Sequence, residues 1–493
     1  MSESKTKPPQ SAITGDMPPE EFRKYGHQLI DWLADHFNHL DEVPVLPKVQ
    51  PGDIRDKLPA SAPVEGESME KILEDVDRII MPGMTHWNHP DFFAYFSITG
   101  SGPGILGELL SAAFNVNGML WKTCPSATEL EETVMDWLRR MLGLPEAFWG
   151  IIYDTASVSS MHAIAAAREQ VENVNIRENG LSGRNGAPRL RLYTSEHSHS
   201  SIEKAAITLG IGTKGVQKIP VDDQFRMKPG ALEAAIAEDR RNGWMPFCVV
   251  ATVGTTSTTS IDPVPQIAKI CKRENLWLHV DAAYGGSAAV VPEMHYVLDG
   301  CEQADSIVVN PHKWMFVPID LSAFYTRKPE VLKRAFSLVP EYLKTTEDSK
   351  VENLMDYGIQ LGRRFRALKL WFVLRYFGQE GIIRRIRNHI GYAATVAEWI
   401  DQHPDFERVA PTPFSTICFR AHPVGMNDTK SLNRLNERLL QAVNDTRKVF
   451  LSHTKLGENY VIRMAIGNLH TEERHIRLAW DLLQNKLEEL QGI

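Results

Sequence analysis

The chain has 493 residues, 43% of them hydrophobic and 24% charged, so it can bury a large core and divide into two or three regions. Its 54 lysines and arginines are outnumbered by 62 aspartates and glutamates, and the net charge of −8 argues against nucleic acid and anionic membranes as partners. The five cysteines form no C-x-x-C pair that would suggest a metal site, and we see neither a secretory signal nor a run of roughly 20 apolar residues. We therefore expect a cytoplasmic protein with reduced thiols and no membrane span.

Two amphipathic helices are predicted near the N terminus, over residues 17–40 and 68–80. In the first, Phe22, Leu29 and Leu33 recur near helical spacing. Helices this short cannot cover their own apolar stripes, so we expect them to pack on another surface, such as a second subunit.

The middle of the chain alternates helical patterns with short β-branched runs bounded by turn residues. This alternation predicts an α/β fold with a mostly parallel sheet covered by helices. The predicted strands are 189–194, 247–252, 276–281, 306–310 and 322–327. In such sheets ligands bind outside the carboxyl ends of the strands, so residues that follow these runs are candidates for a site.

From about residue 363 the pattern changes to that of a smaller α+β domain. Helices are predicted over 367–377 and 380–403, and strands over 414–420 and 460–466.

Two of the predicted strands lead to residues that could take part in catalysis. The string SIVVNPHKW (306–314) places Lys313 just after a buried strand, where a desolvated amine could act as a Schiff-base nucleophile. An ordinary lysine in a surface turn would give the same pattern. The string LWLHVDAAY (276–284) ends in Asp281, which could hold a protonated ring nitrogen, while Ala283 leaves a flat wall for an aromatic ring. Asp281 could instead be a helix N-cap.

Two further segments follow the same rule. In GIIYDTAS (150–157), Thr155, Ala156 and Ser157 would offer hydroxyls and free N–H groups to a phosphate at a helix N terminus, although simple capping would look the same. In SEHSHSS (195–201), a histidine could stack on a ring or lie on the surface.

Taken together, the four segments give the chain a recognisable resemblance. It resembles the group II pyridoxal-phosphate decarboxylases, most closely the aromatic-L-amino-acid decarboxylases, over about residues 18–483. The strings that carry the resemblance are PSATELE (125–131), HVDAAY (279–284), NPHKW (310–314) and LGRRFR (361–366).

The resemblance implies the architecture of the PLP-dependent transferases, the aspartate aminotransferase-like fold type I. It divides the chain into an N-terminal helical segment that packs on the partner subunit (1–101), a large cofactor-binding domain (102–366) and a small C-terminal domain (367–493). It also implies a homodimer with the active site at the interface.

The resemblance assigns roles around pyridoxal 5'-phosphate. Lys313 would bind the cofactor covalently, Asp281 would bind its ring nitrogen, and His199 would stack on the ring opposite Ala283. The remaining cofactor contacts would come from Thr155, Ala156, Ser157, Asn310 and His312 at the phosphate and from Thr256 near the ring. Relatives often have glycine at position 154, and because a carboxylate would repel a phosphate, Asp154 is expected to point away.

The general acid is expected in the polar loop 338–360. Tyr342 in PEYLK (340–344) matches the tyrosine that protonates the α carbon in relatives, whereas phenylalanine there is associated with oxidative aldehyde synthases.

The resemblance implies an aromatic L-amino acid as substrate: tryptophan, 5-hydroxytryptophan, phenylalanine, tyrosine or dopa. Substrate contacts are expected from Trp87, Tyr95, Phe96, Ser97 and Gly362, the last matching the glycine of relatives that admit bulky rings. Four departures from the family pattern, at Ser97, Ile98, Asn117 and Met119, leave the preferred ring open. Oxidation to an aldehyde, decarboxylation of a non-aromatic acid, and an idle cofactor-free scaffold are the alternatives.

Overall fold

The computed structural model describes residues 15–171, 174–183, 185–338, 347 and 350–492. The helices are α1 (Pro19–Asn38), α2 (Met69–Asp75), α3 (Gly102–Phe114), α4 (Pro125–Met141), α5 (Ala156–Glu169), α6 (Ile176–Asn179), α7 (Ser201–Thr208), α8 (Pro229–Arg241), α9 (Val264–Glu274), α10 (Pro311–Trp314), α11 (Pro329–Phe336), α12 (Arg366–Gln402), α13 (Thr429–Asp445) and α14 (Glu473–Gln491). The strands are β1 (Trp149–Tyr153), β2 (Arg189–Ser195), β3 (Val216–Ile219), β4 (Trp244–Thr252), β5 (Trp277–Asp281), β6 (Ser306–Val309), β7 (Ser322–Thr326), β8 (Phe406–Arg408), β9 (Thr416–Ala421), β10 (Ser452–Leu456) and β11 (Asn459–Ala465).

A seven-stranded sheet with the order β1-β7-β6-β5-β4-β2-β3 forms the centre of the molecule. Strand β7 runs antiparallel to its neighbours β1 and β6, and the other pairs in the sheet are parallel. Six strands therefore point their carboxyl ends to the same edge. This sheet and the helices around it confirm the predicted α/β fold of type I.

Both faces of the central sheet are covered, which explains why its strands read as continuous apolar runs. In β4, Val249 and Ala251 pack into the core on one face, whereas Cys248 and Val250 pack into the core on the other. The period of two that a strand imposes thus sends alternate side chains into two different cores.

A four-stranded antiparallel sheet, with the order β10-β11-β9-β8, forms a smaller unit near the C terminus. Helix α12 joins it to the large core, since Leu370 packs on the large core and Val396 on the small one. The two helices predicted over 367–403 are the halves of α12, which is kinked at Gly378 (φ 65°, ψ 168°).

A segment of turns and bends, residues 86–97, links the N-terminal region to both units, and we call it the strap. Its backbone is hydrogen-bonded to the small unit, because the Phe93 amide donates to Phe450 O (2.9 Å) and the Ala465 amide donates to Phe93 O (2.8 Å). The strap then continues to the edge of the large sheet.

The predicted N-terminal helices are present as α1 and as α2, which continues into a π-helical turn at Val76–Ile80. Helix α1 contains no buried residue. Within the part of the chain that the structure describes, we found no helix with both the length and the apolar character that crossing a bilayer requires.

Candidate active site

The carboxyl ends of β1, β2, β4, β5 and β6 meet around a cavity of about 170 Å³. Because the parallel strands end at one edge, the loops that follow them converge there. The residues that line the cavity are Phe96, Thr155, Ala156, Ser157, His199, Ser201, Thr252, Gly254, Thr256, Asp281, Ala283, Tyr284, Asn310, His312 and Lys313. All ten residues expected to bind the cofactor are among them.

Lys313 lies in the short helix α10, directly after β6. Its side chain is half-buried, with Nζ 5.1 Å from the centroid of the Phe96 ring. Desolvation lowers the pKa of the Lys313 amine, and the nearby Arg463 cation lowers it further, while Asp281 opposes both effects. The site therefore shifts the amine towards its neutral, nucleophilic form, and the alternative of a surface turn does not apply.

Asp281 is the last residue of β5 and is only 6% exposed. Its Oδ1 accepts a hydrogen bond from the Ala283 amide at 3.1 Å, which fixes the carboxylate at the floor of the cavity. The next helical turn begins at Gly285 and is preceded by Tyr284, so Asp281 is not a helix N-cap. Asp281 and Lys313 thus face one cavity.

His199 follows β2 and is oriented by Ser201. Its Nδ1 accepts the Ser201 amide hydrogen at 3.1 Å and lies 2.8 Å from Ser201 Oγ. The neutral ring consequently carries its proton on Nε2. Partial desolvation lowers the pKa of His199, which favours this neutral form.

The end of the cavity near β1 offers hydrogen-bond donors. Thr155 precedes α5, so the amides of Ala156 and Ser157 lie in the first helical turn, where they have no intrahelical partner. His312 Nδ1 accepts from the Leu321 amide at 2.9 Å, and burial lowers the pKa of His312 to about 4, so the neutral ring carries its proton on Nε2.

The donor set suits the expected cofactor. Asn310 is buried beside His312, with Nδ2 3.3 Å from His312 Nε2, and its Oδ1 has no hydrogen-bond partner among the described residues. Hydroxyls and amides at one end, a carboxylate at the other and an amine between them match a phosphorylated heterocyclic aldehyde. The residues present therefore fit pyridoxal phosphate.

Asp154 does not line the cavity. Its Oδ1 accepts from both the Thr155 amide (2.5 Å) and the Thr155 hydroxyl (3.1 Å), so the carboxylate lies beside the start of α5. Its Oδ2 accepts from Gln360 Nε2 at 3.0 Å. The carboxylate is held by neighbouring donors rather than released into solvent.

Of the expected substrate contacts, only Phe96 lines this cavity within one chain. Trp87 and Tyr95 stack on each other, with ring centroids 5.8 Å apart, in an aromatic cluster on the strap. Ser97 is buried beside Gly467. Gly362 is exposed in a loop that Asn117 holds, since Asn117 Oδ1 accepts from the Arg363 amide at 2.9 Å.

Tyr342, the expected general acid, lies outside the described residues. Its role stays a prediction.

The sequence did not reveal four residues that line the cavity, Ser201, Thr252, Gly254 and Tyr284. Tyr284 stacks on Phe96 with centroids 4.0 Å apart.

Arg463 in β11 was also missed. Its guanidinium lies 4.4 Å from the Phe96 centroid, donates through Nη1 to Tyr95 O, and has an Nη2 with no partner in the described part of the chain. The available signal was a charged residue in the otherwise apolar run YVIRMAI (460–466).

Comparisons with known proteins identify the family of the chain. Residues 51–422 match the family described as the pyridoxal-dependent decarboxylase conserved domain. The chain is 43% identical to tyrosine decarboxylase 3 of Petroselinum crispum, with 96% of this chain and 93% of that protein covered. It is 40% identical to phenylacetaldehyde synthase of Arabidopsis thaliana, with coverage of 96% and 97%. The crystal structure of Oryza sativa TDC with PLP and tryptamine superposes with a TM-score of 0.93 at 34% identity, covering 97% of this chain and 100% of that one.

Proposed function

Because the chain belongs to the pyridoxal-dependent decarboxylase family, we propose that it converts an aromatic L-amino acid to the corresponding arylalkylamine and CO2. The observation that carries this proposal is a lysine amine with a lowered pKa that shares one cavity with a buried carboxylate, Asp281. One relative is named as a tyrosine decarboxylase and the Oryza sativa TDC structure contains tryptamine, which supports an aromatic substrate.

Pyridoxal 5'-phosphate is the cofactor, and when bound it withdraws electrons from the bond to the leaving carboxylate. Lys313 would hold its aldehyde carbon and Asp281 its ring nitrogen. The phosphate would be held by Thr155, Ala156, Ser157, Asn310 and His312, with Thr256 beside the ring.

The remaining steps depend on residues that position the substrate and move a proton. The His199 ring would cover one face of the heterocycle and Ala283 the other, and the Nε2 proton of His199 is free to bind an anionic group in the cavity. Tyr342 would deliver the proton to the α carbon after CO2 leaves.

The aromatic side chain of the substrate would pack near Phe96, which Tyr284 and Arg463 hold in place. Aromatic contacts of this kind contribute about 0.5 to 1.5 kcal/mol each beyond burial. We propose that Trp87, Tyr95 and Gly362, which are not fully buried, complete this pocket across a subunit interface, because only Phe96 of the five expected contacts lines the cavity from its own chain.

We further propose that the protein is a homodimer. Helix α3 presents a row of exposed apolar side chains, namely Leu106, Leu109, Leu110 and Phe114. An exposed apolar row of this kind is typical of a subunit interface.

A cytoplasmic location is proposed as well. All five cysteines are free, and four of them are buried, as in proteins of reducing compartments.

The product can be either an amine or an aldehyde, because overall similarity does not separate the two: the phenylacetaldehyde synthase is nearly as similar as the tyrosine decarboxylase. Tyr342 favours the amine. Incubation with each aromatic amino acid, with measurement of amine, aldehyde and peroxide, distinguishes the two reactions. Aldehyde and peroxide as main products would contradict the proposal.

The decisive variant is Lys313→Ala. It should lose amine production by about a thousandfold or more, because the covalent hold on the cofactor is removed. It should also lose the visible absorbance that borohydride bleaches in the wild-type protein. The control is Lys269→Ala, which removes an exposed lysine of α9 and should leave both readings unchanged. Sustained amine production by Lys313→Ala would contradict the assignment.

A further inference from the structure

We infer that Asp154 weakens the hold of this protein on the cofactor's phosphate group and so keeps the cofactor exchangeable. The inference rests on the proposed cofactor site and concerns a residue that does not take part in the chemistry. It begins from the contacts of Asp154 at the N terminus of α5.

Asp154 and the phosphate of the cofactor compete for the same hydrogen-bond donors. The Thr155 amide and the Thr155 hydroxyl each carry one hydrogen, and both are directed to Asp154 Oδ1. A donor with one hydrogen serves one strong acceptor well. A phosphate that approaches this end of the cavity must therefore share these two donors with a carboxylate or leave them to it.

The second step is charge. A phosphate monoester carries about −1.5 to −2 charge at neutral pH. Of the described residues that line the cavity, Lys313 is the only lysine or arginine, and its pKa is lowered. The ionised Asp154 side chain thus adds a negative charge next to the phosphate end, where no lining arginine or other lysine compensates for it.

The third step is the rigidity of the carboxylate. Gln360 Nε2 donates to Oδ2 at 3.0 Å, so both carboxylate oxygens are held and the side chain does not simply rotate into solvent. Residues around Gln360 are themselves fixed to the large domain, since the Ile359 amide donates to His162 Nε2 at 3.3 Å. The repulsion is therefore built into the folded chain.

The contribution of Asp154 can be isolated by comparing two ligands of the apoprotein, pyridoxal 5'-phosphate and pyridoxal. The isosteric Asp154→Asn variant should bind pyridoxal 5'-phosphate about tenfold more tightly than the wild type at low salt. The variant should release pyridoxal 5'-phosphate correspondingly more slowly, while its affinity for pyridoxal stays within about twofold of the wild-type value. The gain should shrink at high ionic strength.

Two control variants separate charge from structure. Glu169→Gln removes one negative charge at the opposite end of the same helix, where Glu169 pairs with Arg334, and should not change either affinity. Gln360→Ala frees Asp154 Oδ2 but keeps the charge and the contacts of Oδ1 with Thr155, and should tighten binding of pyridoxal 5'-phosphate less than Asp154→Asn does.

The outcomes are distinguishable. If the wild type binds pyridoxal 5'-phosphate no better than pyridoxal, the proposed phosphate site itself is wrong. If the wild type prefers pyridoxal 5'-phosphate to pyridoxal, but Asp154→Asn leaves this preference unchanged or reduces it, only the inference about Asp154 is overturned. Should Asp154→Asn lose pyridoxal binding altogether, Asp154→Gly, which removes the carboxylate together with its side chain, decides by the same comparison.

Discussion

At the scale of single residues, the site shifts the amine of Lys313 towards its neutral form. Desolvation and the cation of Arg463 both lower the pKa of its amine, and Asp281 only partly offsets them. Arg463 comes from the small unit, so part of this electrostatic tuning crosses from one core to the other.

This environment predicts how stability depends on pH. The unfolded Lys313 retains the ordinary pKa of 10.5 while the folded pKa lies below it, so between the two values the unfolded chain binds one more proton. The free energy of unfolding of the apoprotein should therefore rise with pH across this window. Lys313→Met should remove that rise and should be more stable than the wild type at neutral pH, by an amount that shrinks towards pH 10.5.

Urea unfolding of the apoproteins at several pH values measures the difference. Lys269→Met, at an exposed position, is the matched control and should run parallel to the wild type. A stability difference between Lys313→Met and the wild type that does not change with pH would contradict the argument.

The residues of the site were predictable where they follow a buried strand. Asp281 and Lys313 stand directly after runs of β-branched and apolar residues, and the loops of parallel strands converge. Arg463 was not predictable in this way, because its approach to Phe96 depends on how two separate units pack. The interaction of Asp154 with Thr155 was missed because the expectation weighed charge repulsion alone and not the donors next in the chain.

At the scale of elements, the close approach of two loops shapes the cavity. Gly254, after β4, has φ 90°, and a Cβ there would lie 2.9 Å from the Gly285 amide nitrogen in the loop after β5. The absence of a side chain lets the loop that carries Thr256 lie against the loop that follows Asp281.

Gly254→Ala should therefore destabilise the protein through both its backbone angle and this contact. Gly243 separates the two effects, because it has a similar φ of 74° but open space around its Cβ. Gly243→Ala should cost about 1 to 2 kcal/mol, and Gly254→Ala about 1 to 3 kcal/mol more. Thermal unfolding of both variants tests this, and equal losses would show that the contact is unimportant.

Elements were predicted best where burial dictates the pattern. The runs that became β4, β5 and β6 were found within a few residues because both of their faces are covered. Strands β3 and β10 were missed, since their half-exposed sequences VQKI and SHTKL carry no continuous apolar signal. The break between the two predicted C-terminal helices coincides with Gly378, where glycine readily adopts the positive φ of the kink.

At the scale of the whole molecule, the predicted fold class is confirmed and the division at residues 101 and 366 stays a prediction. The exposed row on α3 is the feature that one chain leaves unpaired. The sequence indicated a subunit contact only for α1 and α2. The apolar residues of α3 are equally typical of a buried core helix, so its exposed face was not predicted.

The proposed dimer can be tested on this row. Leu109→Glu places a charge in the middle of it, and sedimentation velocity should show a shift from twice the 55.6 kDa chain mass towards the monomer, with a parallel loss of amine production. Val424→Glu, which changes an equally apolar but 84% exposed residue of the small unit, should remain dimeric. A wild-type protein that sediments as a monomer would overturn the proposal.

Phe96 of the strap forms one wall of the cavity, and the strap is hydrogen-bonded to the small unit. The position of Phe96 is fixed by the backbone hydrogen bonds of Phe93 and by the hydrogen bond that Arg463 donates to Tyr95 O. Replacement of Phe450 or Ala465 would therefore change the position of Phe96, and with it the shape of the substrate pocket, while the residues that follow the strands of the large sheet stay the same.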